Sequence, residues 1–370
     1  MLNSGSSSIK YRVFDSAERV LASGIVERIG EAGHVPDHHA ALERILPALP
    51  PGIEACGHRV VHGGDQFTAP VVVDDTVLAA LRDLIPLAPL HNPGAVAGIE
   101  AARARFPDLP HVAAFDTAFH HSLPAAARTY AISADVAARY GIRRYGFHGI
   151  SVASVVRATA ALLDRPVTSL NLIVLHLGNG ASATAVRGGQ SVETSMGFTP
   201  LEGLVMGTRS GDLDPSLTLY LQRVAGLPPS DVDDLLQHHS GLAGLCGDND
   251  VRSVLKLRDQ GDPLATLALD VYCHRIRKYV GAYHAVLGRL DAVVFTAGVG
   301  EHSAVVRQRS MEGLEALGVS VDAERNAGGD SGARVVSSAG ARVAVCVVPT
   351  DEERSITQET ASLLGLPGDW

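Results

Sequence analysis

A chain of 370 residues is too long for one ordinary hydrophobic core and suits two domains. Hydrophobic residues make up 46% and charged residues 19%, which excludes a disordered chain. The formal net charge of −9 argues against bulk affinity for nucleic acid or an anionic membrane, yet local arginines can still hold a small anion.

The first segment, Asn3-Ser4-Gly5-Ser6-Ser7-Ser8-Ile9-Lys10, combines a glycine, hydroxyls and a cation. Glycine lets a backbone approach phosphate closely, hydroxyls donate to its oxygens, and lysine neutralises charge. It is not a Walker A loop, and a flexible Ser/Gly tail is the competing reading. Only Met1 and Leu2 precede Asn3, fewer residues than an average strand. A longer apolar lead-in is therefore expected to stabilise this strand and the loop after it. Ile9–Val13 then alternates apolar and charged residues as a half-buried strand would.

Short apolar runs that end in glycine or polar residues follow in order. Ala55–Val61 precedes His62-Gly63-Gly64, and Val112–Phe115 precedes Asp116. Leu172–Leu177 precedes Gly178-Asn179-Gly180, Ala292–Thr296 precedes Gly298, and Ala344–Val348 precedes Pro349. Such runs read as strands buried on both faces. His58 and His62 are four apart, but in a strand-like run rather than on a helix, so no metal site is read there. Helices are expected over Pro93–Arg105, after Asn92, and over Pro263–Arg289. In the latter, Ala268, Tyr272, Ile276, Val280, Tyr283 and Leu287 form one core-facing stripe. Thr184–Arg187, Gly188-Gly189 and Gln190–Glu193 read as a hairpin with a type I′ turn.

Strands alternating with helices imply an α/β fold. The motif of strand, glycine turn and strand occurs near residue 5 and near residue 180, which points to two similar halves with a boundary near residue 150. The turns at His176–Gly180 and Thr296–His302, with the serine loop, favour a nucleotide, because α/β folds bind nucleotides at the carboxyl ends of strands. Arg59 interrupts an apolar strand and Arg209 is flanked by glycines; such cations need an anion nearby. For Arg209 a structural partner, Asp212 or Asp214, is as plausible as a substrate. The scattered Cys56, Cys246, Cys273 and Cys346 form no CxxC pair, so a reducing cytoplasm fits. No apolar run approaches the ~20 residues that span a bilayer, and the start lacks a secretory signal pattern.

Taken together, NSGSSSIK, GHRVVHGG, APLHNP, FDTAFH, RRYGFHG, HLGNG, ETSMGFTPLEG, MGTRSGDLDP, TAGVGE and PTDEE, in this order, resemble the acetate kinase family of the actin/Hsp70/sugar-kinase superfamily. The resemblance implies two ribonuclease-H-like, actin-like ATPase domains with a nucleotide cleft between them. The expected division is 1–150, with residues 353–370 packing back on it, and 151–352. It implies reversible transfer of the ATP γ-phosphoryl group to acetate, giving acetyl phosphate and ADP, with Mg²⁺ that Mn²⁺ can replace, in a cytoplasmic homodimer. By the same resemblance Asp116, His148 and Arg209 are catalytic, while Arg59, Val61, Leu90, Phe147 and Pro200 bind the carboxylate substrate. Ser6, Ser8, Lys10, His176, Leu177, Gly178, Asn179 and Gly180 fall to ATP, with Asp250, Val251, Arg252, Gly298, Val299, Gly300, Glu301 and His302. Asn3 and Glu352 fall to the metal. Ile150, Val152, Gly94, Ala95, Val251, His302 and Asp351 depart from the family pattern; Gly94 and Ala95 are expected to loosen their turn. The alternatives are a propionate or butyrate kinase, and an actin-like protein that binds or hydrolyses ATP without a carboxylate substrate.

Overall fold

The computed structural model describes residues 1–329 and 332–368. The chain divides into two units. The first comprises Met1–His121, Phe147–Ser154 and the segment from Asp351; the second comprises Ser122–Gly146 and Val155–Thr350. The sequence placed a boundary near 150 and returned residues 353–370 to the first half; in the structure the chain passes between units after residues 121, 146, 154 and 350.

In the first unit, β1 (Leu2–Ser4), β2 (Ser8–Phe14), β3 (Val20–Glu27), β4 (Cys56–Val60), β5 (Val71–Val72) and β6 (His111–Phe115) form one sheet. Their order is β3-β2-β1-β4-β6-β5. The first three are antiparallel, β1, β4 and β6 run parallel, and β5 is antiparallel to β6. β6 is buried at every residue, as the apolar run Val112–Phe115 leads one to expect. β1 is only three residues long, but Met1 still exchanges backbone hydrogen bonds of 3.0 and 3.1 Å with Arg12. A mostly apolar cavity of about 310 Å³ opens beside this strand, among Leu2, Tyr11, Leu42, Cys56 and Phe106.

The helix Asn92–Arg105 packs on β1 and β4. Here the expectation for Gly94 is corrected. A Cβ on Gly94 would lie 2.4 Å from the Gly5 carbonyl carbon, and one on Gly98 would lie 2.1 Å from the Ser4 hydroxyl. Both distances are shorter than real contacts, so these glycines permit a close approach to the serine loop rather than loosening a turn. The helix Glu352–Leu364 covers β4 and β6 and approaches as closely: a Cβ on Gly57 would lie 2.5 Å from the Thr360 hydroxyl.

In the second unit, β7 (Asn171–Leu177), β8 (Ala181–Arg187), β9 (Gln190–Thr194), β10 (Ala292–Thr296), β11 (Arg334–Val335) and β12 (Ala344–Val347) form a second sheet. Its order, β11-β12-β10-β7-β8-β9, repeats the first strand for strand, with the same directions. The β8–β9 hairpin turns at Gly188 and Gly189, with φ of +57° and +85°, the signs a type I′ turn demands. The long helix is Pro263–Leu287, started by the Asp262 cap, and all six expected stripe residues are buried. Thr296–His302, expected as a turn, contains the helix Ala297–His302.

Candidate functional site

Parallel strands bring their carboxyl ends together. In the first unit Val60 of β4 is in register with Phe115 of β6, so Arg59 and Asp116 meet where both strands end. Arg59 donates from Nε to Asp116 Oδ1 at 3.1 Å and from a terminal nitrogen to Oδ2 at 2.7 Å. The carboxylate is only 2% exposed. Burial alone would weaken the guanidinium's hold on its proton, but Asp116, then Glu352, reverse this and raise its pKa. The other terminal nitrogen lies 3.5 Å from Glu352 Oε2. One edge of Arg59 is thus taken by Asp116, and among the described residues the other terminal nitrogen has that long contact with Glu352.

His148 has φ of +58°, uncommon for a residue with a Cβ and a mark of a constrained site. It is flanked by buried Phe147 and by Gly149, whose N–H donates to the Asp116 carbonyl at 2.8 Å. The Phe147 carbonyl lies 2.8 Å from His120 Nε2. Burial pushes His120 down to about 4, so the neutral ring donates from Nε2. Three residues after Arg59, His62 is held by Asn92, which accepts from its N–H at 3.1 Å and donates to its carbonyl at 3.0 Å. Thr117 Oγ1 accepts from the Gly63 N–H at 3.0 Å. Sequence reasoning missed Asn92, His62, Thr117 and His120 as supports. The only hint was Asn92 before Pro93, which a helix start also explains.

The serine loop is an ordered turn and not a tail. Gly5 N–H donates to the Ser8 carbonyl at 2.8 Å, and the Ser7 carbonyl accepts from Ile29 at 3.0 Å. Ser6 and Lys10 are exposed and Ser8 half-buried, and Lys10 pairs with Glu353. Burial pushes the Glu353 carboxyl up, but the Lys10 hydrogen bond and charge outweigh it, for a net lowering. Asn3 lies on β1, and Glu352 opens its helix. No cluster of three or more His, Cys, Asp or Glu among the described residues could cage a metal. A donor set of one amide and one carboxylate fits Mg²⁺, which draws its remaining oxygens from phosphates and water. Val61 is half-buried, Phe147 buried and Leu90 43% exposed; Pro200, expected beside them, belongs to the second unit.

In the second unit β7 ends at His176-Leu177, and the turn closes with the Gly178 N–H on the Gly180 carbonyl at 3.0 Å. The Asn179 carbonyl accepts from Gly207 at 2.9 Å, which ties this turn to the loop bearing Arg209. A cavity of about 700 Å³ opens here. Its walls include Gly178, Asn179, Asp250, Val251, Arg252, Gly298, Val299 and His302, all expected at the nucleotide. His176, Leu177, Gly180, Gly300 and Glu301 do not line it. The carbonyls of Gly300 and Glu301 instead accept from buried Arg307 at 2.9 and 2.8 Å. Asp250 caps the helix Val251–Asp259 and holds Arg252 in a forked pair; that hydrogen bond keeps its carboxyl below the usual range.

Arg209 differs from Arg59. It donates to the Pro200 carbonyl at 3.1 Å and touches the Met206 sulfur at 3.9 Å. Neither aspartate considered from the sequence pairs with it. Asp212 accepts from Gly203 N–H and Tyr279 at 2.9 Å each, and Asp214 caps the helix Pro215–Val224. With no carboxylate among the described residues to oppose it, burial lowers the Arg209 pKa from its ordinary value.

A model of the Acetokinase family matches residues 30–358. An acetate kinase of Streptomyces griseus is 54% identical, over 99% of this chain and 96% of its own length. Among solved structures, the acetate kinase of Porphyromonas gingivalis superposes with a TM-score of 0.94 at 38% identity, covering 98% of both chains. A propionate kinase of Francisella tularensis gives 0.91 at 38% identity, again over 98% of both. With the family's motifs standing at the ends of β1, β4, β6, β7 and β10, the chain belongs to the acetokinase family.

Proposed function

We propose that this protein reversibly transfers the γ-phosphoryl group of ATP to acetate, giving acetyl phosphate and ADP. The observation that carries the reading is Arg209, a cation drawn out of water with no carboxylate partner among the described residues. Such a group is stabilised by an arriving anion. The 700 Å³ cavity beside Asn179 is of a size for a nucleoside.

A carboxylic acid with a pKa near that of Glu (~4.3) is ionised at pH 7, so no general base is needed. A carboxylate oxygen attacks the γ-phosphorus, and the bond to the ADP oxygen breaks in line. The obstacle is repulsion between anions. Arg59 can offer the carboxylate its end-on edge while Asp116 holds the other. That supports Asp116 as the holder of an arginine and not as a proton acceptor. Arg209 and His148 serve the equatorial oxygens. Mg²⁺, or Mn²⁺ in its place, held through Asn3 and Glu352, would neutralise phosphate charge when bound.

Acetate kinases at 54% and 55% identity support acetate as the acceptor. The propionate kinase at 38% favours propionate as a second reading, since one methylene is worth only about 1–3 kcal/mol. A panel of C2 to C4 carboxylates with Mg-ATP, trapping acyl phosphate as hydroxamate, should give the highest kcat/KM for acetate. Equal efficiency with butyrate would overturn the acetate assignment. A homodimer is proposed with it, supported by exposed Leu217, Tyr220 and Val224 on one helix. No helix among the described residues is long and apolar enough to cross a membrane, which is compatible with the cytoplasmic placement proposed.

A further inference from the structure

We infer that Glu202, with Tyr130 and Arg144, positions Arg209 through the Pro200 carbonyl; this rests on the role given to Arg209 above. After β9 the chain runs from Ser195 to Gly203 without helix or strand, so its course is set by side chains and not by a ladder. Arg144 supplies most of them. One terminal nitrogen donates to the carbonyls of Thr194, Ser195 and Met196 at 3.1, 3.1 and 3.2 Å. The other donates to Glu202 Oε1 at 2.5 Å. The second Glu202 oxygen accepts from the Tyr130 hydroxyl, which itself accepts from the Phe198 N–H at 2.9 Å.

The packing leaves no slack. The Tyr145 N–H holds the Gly197 carbonyl at 3.0 Å. A Cβ on Gly197 would lie 1.8 Å from Glu202 Oε2 and 2.1 Å from the Tyr130 hydroxyl. On the far side the Gly203 N–H is fixed to Asp212 Oδ1 at 2.9 Å. Pro200 is therefore clamped from both directions, and among the described residues its carbonyl is the one oxygen that Arg209 donates to, at 3.1 Å. A guanidinium that must meet charge developing on a transferring group gains from being aimed beforehand. Glu202, Tyr130 and Arg144 touch no reacting atom in this scheme; they aim the residue that does.

The test compares Tyr130→Phe and Glu202→Gln, each alone and combined with Arg209→Ala. Tyr130→Phe removes one oxygen and keeps the ring, so it serves as the mild variant should Glu202→Gln fold poorly. We expect each single variant to lower kcat about tenfold or more, with KM for Mg-ATP within about twofold. On the Arg209→Ala background the same changes should cost less than about twofold further, because what they aim is gone. Wild-type kcat in both single variants would overturn the inference. So would equal losses on the two backgrounds, the mark of a general structural role. Near wild-type kcat for Arg209→Ala alone would overturn the function reading itself, and the inference with it.

Discussion

Two arginines of this protein are withdrawn from water in different company. Arg59 faces a carboxylate that is already satisfied, whereas Arg209 faces a carbonyl and a thioether. Arg209→Ala should therefore lower kcat by about 10³ and leave the KM for ATP within about threefold, which steady-state kinetics can check. A retained kcat above about a tenth would remove it from the transition state. The Arg59–Asp116 meeting was half legible in the sequence, since Arg59 stands near the end of one apolar run, Asp116 directly follows another, and parallel strands end together. The supports were not. Asn92 reaches His62 across 30 positions, and Arg144 reaches Glu202 across 58; no local period records such pairings. A pH effect also belongs at this scale. His58 Nε2 and His111 Nδ1 share a hydrogen bond of 2.9 Å inside the first unit. Burial first, and for His58 the neighbouring His111, lowers both pKa values, and burial brings His120 to about 4. The folded state thus resists protons that the unfolded chain accepts near pH 6.5. Stability is complete above that value and falls as pH drops below it, by about 1 kcal/mol per fully buried histidine at pH 5.5. Urea unfolding at pH 7.5 and 5.5 should show the loss, and His58→Gln should reduce it.

Elements were legible where burial is two-sided or a cap is local. Strands β4, β6, β7, β10 and β12 appear as mostly apolar runs, and Asp262-Pro263 starts the long helix as its cap and first turn require. Ala297–His302 was misread because Gly298 and Gly300 disfavour a helix by about 1 kcal/mol each, while its carbonyls are held by Arg307 from a later segment. The close packing of Asn92–Arg105 on the serine loop was equally hidden, since a glycine does not announce what approaches it. Its consequence can be measured. Gly98→Ala should cost about 1–3 kcal/mol in denaturant unfolding, because the new methyl overlaps Ser4. Gly94→Ala should raise the KM for ATP severalfold by displacing the Gly5 turn; an unchanged KM would separate that turn from nucleotide binding.

Over the whole molecule, the repeated sheet order was foreshadowed by two strand–turn–strand signals, and a return of the last segment was expected from the resemblance, but the crossings after 121, 146 and 154 were not, because no change in composition marks those residues. The last crossing has a consequence for how the protein is made. Everything the second unit uses has been translated by Thr350, whereas the first unit, whose strands are made earliest, still lacks the helix that covers β4 and β6. That helix brings buried Ile356 and Ala361 to the sheet, and a buried aliphatic such as isoleucine contributes roughly 1.5–3 kcal/mol. The usual order, N-terminal part first during synthesis, is inverted: the portion translated first finishes folding last. A chain ended at Thr350 should keep the cooperative unfolding of the second unit while residues 1–121 are cut rapidly by protease. Early strands left open in this way, with apolar faces waiting on the final segment, make the growing chain a client for chaperones until its last turn of helix is out.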